Sequence, residues 1–74
     1  LDYQNQMRFN RLMFDYKFFD KLYQQKRMND KQAEKAFSHL MDRALDLDDD
    51  VRNDESRWLV EQIGGHLDRL CCGV

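Results

Sequence analysis

Residues 2–26, DYQNQMRFNRLMFDYKFFDKLYQQK, contain no proline or glycine and hold seven of the nine aromatic side chains in the chain. Projected at about 100° per residue, Phe9, Leu12, Met13, Tyr16, Phe19 and Tyr23 line one side of a helix. Tyr3, Met7, Phe14, Phe18 and Leu22 line nearly the opposite side. A helix apolar on both sides either sits centrally in its fold or shares one side with another chain. If helix two covers one stripe and helix three the other, both are core, as large apolar side chains usually are. The preferred expectation gives the second stripe to a partner or a dimer interface, because contiguous exposed apolar surface marks interaction sites and aromatics and methionine are enriched at interface cores. The first stripe repeats at 3-4-3-4 through Phe9, Leu12, Tyr16, Phe19 and Tyr23, the seam of a short coiled coil, so it too has a pattern suited to a twofold-related copy.

Working outward, the rest of the 74 residues also reads as helix. Asn29 offers an N-cap and Gln32, three positions on, completes a capping-box pattern, which makes 27–29 the turn. Ala33, Ala36, Phe37, Leu40, Met41, Ala44 and Leu47 then recur at spacings of three and four, leaving Lys35, His39, Asp42 and Asp46 outside. The acidic run Asp46-Leu47-Asp48-Asp49-Asp50 opposes the dipole at a helix C-terminus and suits the start of the next helix. A third helix follows with Leu59, Ile63, Leu67 and Leu70 as its stripe and Trp58 and Val60 beside it. Gly64-Gly65 lies in its middle, where each glycine costs about 1 kcal/mol relative to alanine. The expectation is a close helix approach at that pair. The fold class is therefore all-α: one domain, 1–74, a small three-helix up-down-up bundle with helices at about 2–26, 30–47 and 53–71 and a long aromatic first helix, expected to be dimeric.

Length and composition bound the function. A chain this short builds a modest core and usually needs a staple. The adjacent Cys71 and Cys72 cannot supply a disulfide framework, which leaves packing or oligomerisation. With 42% apolar and 35% charged residues the chain is a folding one, and no run is long enough to span a membrane. Charges interrupt the first helix throughout, so it does not read as a signal peptide, and a cytoplasmic domain is expected. Residues 1–41 hold eight Lys/Arg against five Asp/Glu, residues 42–74 four against nine, so a +3 part precedes a −5 part. That asymmetry favours self-association and lets the acidic part attract a basic partner.

The constellations that could carry chemistry fail on spacing. Asp46, Asp48, Asp50 and Asp54 fit positions 1, 3, 5 and 9 of a calcium loop, but Val51 and Arg57 stand where the glycine and the bidentate carboxylate belong. His39 and His66 have no second imidazole or thiol at helical spacing, and His66 and Cys71 lie about 140° apart, wrong for a shared metal or a Cys-His nucleophile. No metal, no cofactor and no catalytic activity are expected. Lys26, Arg27, Lys31 and Lys35 cluster around the first turn and are the candidate phosphate contacts of an alternative, a nucleic-acid-associated helical dimer. The turn lacks the glycine of a helix-turn-helix reader, and Asp30 and Glu34 stand among the basic residues. The leading expectation is a protein-interaction module, a small regulator or inhibitor that occludes another protein. Its partner or dimer interface is Tyr3, Met7, Phe14, Phe18 and Leu22, and the acidic patch Asp46, Asp48, Asp49 and Asp50 steers a basic partner surface.

Overall fold

With no proline in the chain and no glycine before Gly64, helix ends must be set by side chains and turn geometry. The computed structural model describes residues 3–47 and 54–71. Among these the chain is all-helical, three helices packed against one another: α1 (Tyr3–Gln24), α2 (Asp30–Leu45) and α3 (Asp54–Cys71). α1 stops because Lys26 turns left-handed, with φ 59°. Its N–H donates to the Tyr23 carbonyl at 3.0 Å and the Arg27 N–H to the Leu22 carbonyl at 2.9 Å. This is the paired hydrogen bonding of a Schellman cap, built on lysine where glycine is usual. α2 opens on the capping box: Asn29 Oδ1 accepts from the Gln32 N–H at 2.8 Å, and Gln32 Oε1 accepts from the Asn29 N–H at 3.0 Å. At its other end Asp46 is the C-cap, a carboxylate against the negative pole of the helix, and an Arg8 guanidinium nitrogen from α1 meets it at 2.9 Å.

The core follows the 3.6-residue period of each helix. α1 contributes Phe9, Leu12 and Tyr16, α2 Ala33, Phe37, Leu40 and Ala44, and α3 Leu59 and Ile63, with Leu47 beside them. Met13, Phe19, Tyr23, Met41, Val60, Leu67 and Leu70 pack around this cluster. Phe37 is at its centre: its ring meets Tyr16 at 6.2 Å and Tyr23 at 6.4 Å from α1, and lies flat on His66 of α3 at 4.4 Å. α2 shares the most packing with its neighbours, while α1 and α3 touch along a narrower seam. There the Tyr16 ring stands edge-on to Trp58 at 6.1 Å.

One expectation is corrected by the backbone. α3 runs through Gly64 and Gly65 without a break. A methyl group placed at Gly64 would meet the Met41 terminal methyl at 3.7 Å, and one at Gly65 would meet only the Arg69 guanidinium at 3.8 Å. Both are ordinary van der Waals distances. The glycine pair does not answer to a close helix approach.

Candidate functional site

The two sides of α1 have opposite fates. The stripe through Phe9, Leu12 and Tyr16 is buried, whereas on the other side Tyr3 is 75% exposed, Met7 50%, Phe14 66% and Phe18 51%. Leu22 at the end of that stripe is half-buried. Neither α2 nor α3 covers it, because both pack on the opposite side of α1. Phe18 is steadied by an edge-on contact with the Phe19 ring at 5.6 Å, and Phe19 in turn packs against the core. Arg11, Lys17 and Lys21 are exposed on the same side. The α1 carboxylates among the described residues are engaged by other groups: Asp15 meets Arg43 of α2 at 2.7 Å and Arg11 at 3.5 Å, and Asp20 reaches His66 of α3 at 3.1 Å.

His66 forms a second cluster, one that touches all three helices. Its ring is buried and stacked on Phe37 with only 4° between the planes. A guanidinium nitrogen of Arg69 stands 3.2 Å from Nδ1. Guanidinium only donates, so Nδ1 accepts and the proton of the neutral ring belongs on Nε2. That N–H faces the Tyr16 hydroxyl at 3.3 Å and Asp20 Oδ1 at 3.1 Å. Asp20 Oδ1 is buried beside Nε2, where its negative charge favours the protonated ring. Burial pushes the His66 pKa below 6.5; the Asp20 charge pulls it up and the Arg69 charge pushes it down. Burial, with Asp20 adding to it, raises the Tyr16 phenol. Both ring nitrogens are engaged within the fold, so the cluster joins helices and presents no free base to a substrate.

The chain matches no protein-family model, no curated protein and no solved structure. The site therefore rests on its own chemistry.

The remaining sequence candidates divide. Asp46 is exposed, but its carboxylate is held by Arg8; Asp48, Asp49 and Asp50 lie outside the described residues. Lys26, Arg27, Lys31 and Lys35 are all exposed around the α1–α2 turn, and Asp30 between them accepts a hydrogen bond from the Tyr23 hydroxyl at 3.0 Å. That bond, ahead of burial and the Asp30 charge, raises the Tyr23 pKa. Among the described residues no three His, Cys, Asp or Glu side chains converge as a metal site, and no helix is long and apolar enough to cross a membrane. The reading of residues missed the His66 cluster because it tested His66 only against neighbours on its own helix. A signal was present: Leu59, Ile63, His66 and Leu70 are spaced 4-3-4, which puts the imidazole on the buried stripe.

Proposed function

We propose that the protein is a non-catalytic protein-interaction module acting by stoichiometric binding, a small regulator or inhibitor whose first helix blocks a surface of another protein in the cytoplasm. The observation that carries this reading is the outward side of α1, where Tyr3, Met7, Phe14 and Phe18 are exposed on a helix whose opposite side is already filled. Burying one such side chain is worth about 1.5–3 kcal/mol, so two aromatic anchors can dominate an interface. Phe14 and Phe18 are those anchors.

An up-down-up order of the helices belongs to the same proposal. The pairings Arg8–Asp46, Asp15–Arg43 and Tyr23–Asp30 support it, since they descend α2 as they climb α1. Tyr16–Trp58 and Asp20–His66 climb α1 and α3 together. A homodimer through the outward side of α1 is one form of this reading, with a second copy as the bound protein.

The test is the double variant Phe14→Asp with Phe18→Asp. Both side chains are exposed, so its circular dichroism and melting midpoint should match the parent, while self-association on light scattering, or capture of a partner by the parent chain, is lost. A double variant that unfolds would assign the stripe to the core and end the reading.

A second reading, a nucleic-acid-associated helical dimer, is supported by the exposure of Lys26, Arg27, Lys31 and Lys35 around one turn. Phosphate binding weakens steeply with salt. A salt-titrated duplex-DNA assay that finds no binding at low salt would remove it.

A further inference from the structure

The outward side of α1 is cationic as well as apolar, and its cations are interleaved with the aromatic side chains. At about 100° per residue Lys21 falls within about 20° of Phe14 and in line with Tyr3, on one edge of the stripe, with Lys17 just beyond it and Arg11 inside the stripe between Phe18 and Leu22. All three are exposed. Among the described residues neither lysine has an ion-pair partner, and Arg11 has only a 3.5 Å contact from its own helix, to Asp15. Asp15 is the one α1 carboxylate near this side among the described residues, next to Leu22 and Arg11 on the projection, and it is drawn to Arg43 of α2 at 2.7 Å; Asp20 is turned to His66. The charge pattern is directional: α1 sends its carboxylates into the fold and leaves cations around its exposed aromatics.

Resting on the reading of α1 as a protein-binding helix, we infer that its occupant is a segment of a different protein, most simply an amphipathic helix, with an apolar ridge flanked by carboxylates that meet Lys17, Lys21 and Arg11. This reverses the expectation of a basic partner surface. Like charges brought together across an interface work against association, and opposite charges fix register and speed encounter. A second copy bound stripe to stripe gathers four lysines without ion-pair partners, Lys17 and Lys21 of each chain, into one interface, and the nearest carboxylate, Asp15, is already engaged by Arg43 and Arg11. An anionic bilayer suits helices that keep cations at the flanks of a continuous apolar side; here Arg11 breaks that side between Phe18 and Leu22. Phosphates of a nucleic acid would satisfy the cations but leave Met7, Phe14 and Phe18 against a polar backbone.

The full chain, labelled with 15N, is titrated with two designed helical peptides that share a Leu/Phe ridge and differ only in carrying Glu or Lys along its flanks. Vesicles of phosphatidylcholine with phosphatidylserine and a random duplex DNA are run in parallel, and light scattering reports the mass of the free chain. The Glu peptide should bind about tenfold or more tightly than the Lys peptide, lose affinity with added salt, and shift the α1 amides around Phe14 and Phe18. Lys17→Gln with Lys21→Gln, both exposed and outside the core, should keep the melting midpoint and weaken the Glu peptide by roughly tenfold while sparing the apolar contribution. Equal binding of the two peptides, or no effect of the lysine changes, overturns the acidic partner while leaving α1 as a protein-binding helix, provided Phe14→Asp with Phe18→Asp still abolishes binding. Tighter binding to vesicles or DNA than to the Glu peptide overturns it, as does a free chain already dimeric through Phe14 and Phe18. If neither peptide binds and the free chain is monomeric, this inference and the reading beneath it both fall; if neither binds a chain that is dimeric through Phe14 and Phe18, only this inference falls.

Discussion

Lys26 is the only non-glycine residue with positive φ among the described residues, and left-handed geometry costs an L-residue with a β-carbon roughly 1–2 kcal/mol. Lys26→Gly should therefore gain about 1 kcal/mol, after the greater freedom of glycine in the unfolded chain is set against the relief. A thermal melt should show a midpoint higher by several degrees. His66 carries the pH dependence. Its folded pKa lies below 6.5, first because of burial, so on acidification the unfolded chain takes up a proton that the folded chain resists. The stability it contributes is complete above 6.5 and is lost as pH falls through 6.5 toward the folded value. The groups facing the ring are Tyr16, Asp20 and Tyr23 on α1, Phe37 on α2 and Arg69 on α3; protonation would bring Nδ1–H against the Arg69 guanidinium. Denaturant titrations at pH 7.5 and 5.5 should differ for the parent chain, and His66→Gln should shrink the difference while lowering stability at both. An unchanged pH dependence would place the sensitive proton elsewhere.

Among the helices, α3 keeps two glycines that its packing does not require. Gly64→Ala and Gly65→Ala should each stabilise by up to about 1 kcal/mol through helix propensity, since the added methyl meets Met41 or Arg69 at ordinary distance. Denaturant midpoints of the single variants check this, and a loss at Gly64 would mean that Met41 cannot yield. α1 shows how two sides of one helix, similar in composition, acquire different roles. The Arg8–Asp46 bridge adds little on its own, because exposed pairs contribute about 0–1 kcal/mol. The half-buried Asp15–Arg43 bridge and the Tyr16 contacts are what fix the rotation of α1 about its axis. That rotation leaves Phe14 and Phe18 outside, which is why charging them should spare the fold.

For the molecule as a whole, Phe37 is the residue on which the three helices converge. Phe37→Ala removes a fully buried ring that touches α1 and α3 and should cost about 3–5 kcal/mol, comparable to the whole stability expected of a chain this small. Far-UV circular dichroism at 25 °C should show substantial loss of helix. By itself the sequence determined the three helices, the α2 capping box, and which residues share each stripe, because these depend on local period and on groups three or four positions apart. Asn29 with Gln32, and Leu59 with Ile63, are read directly from spacing. Periodicity supplied the two stripes of α1 and a preference for leaving the Phe14 side to a partner, but both sides satisfy the same period, and it is the neighbours of Tyr16 and Asp15 that hold the Phe9 side against the core. It left His66 ambiguous for the same reason: its partners Tyr16 and Asp20 are 50 and 46 positions away. The tertiary structure alone decided that Asp46 is taken by Arg8 and that the side of α1 carrying the cations and Phe14 is the exposed one, because long-range pairing depends on how helices are rotated and stacked, which no local repeat encodes.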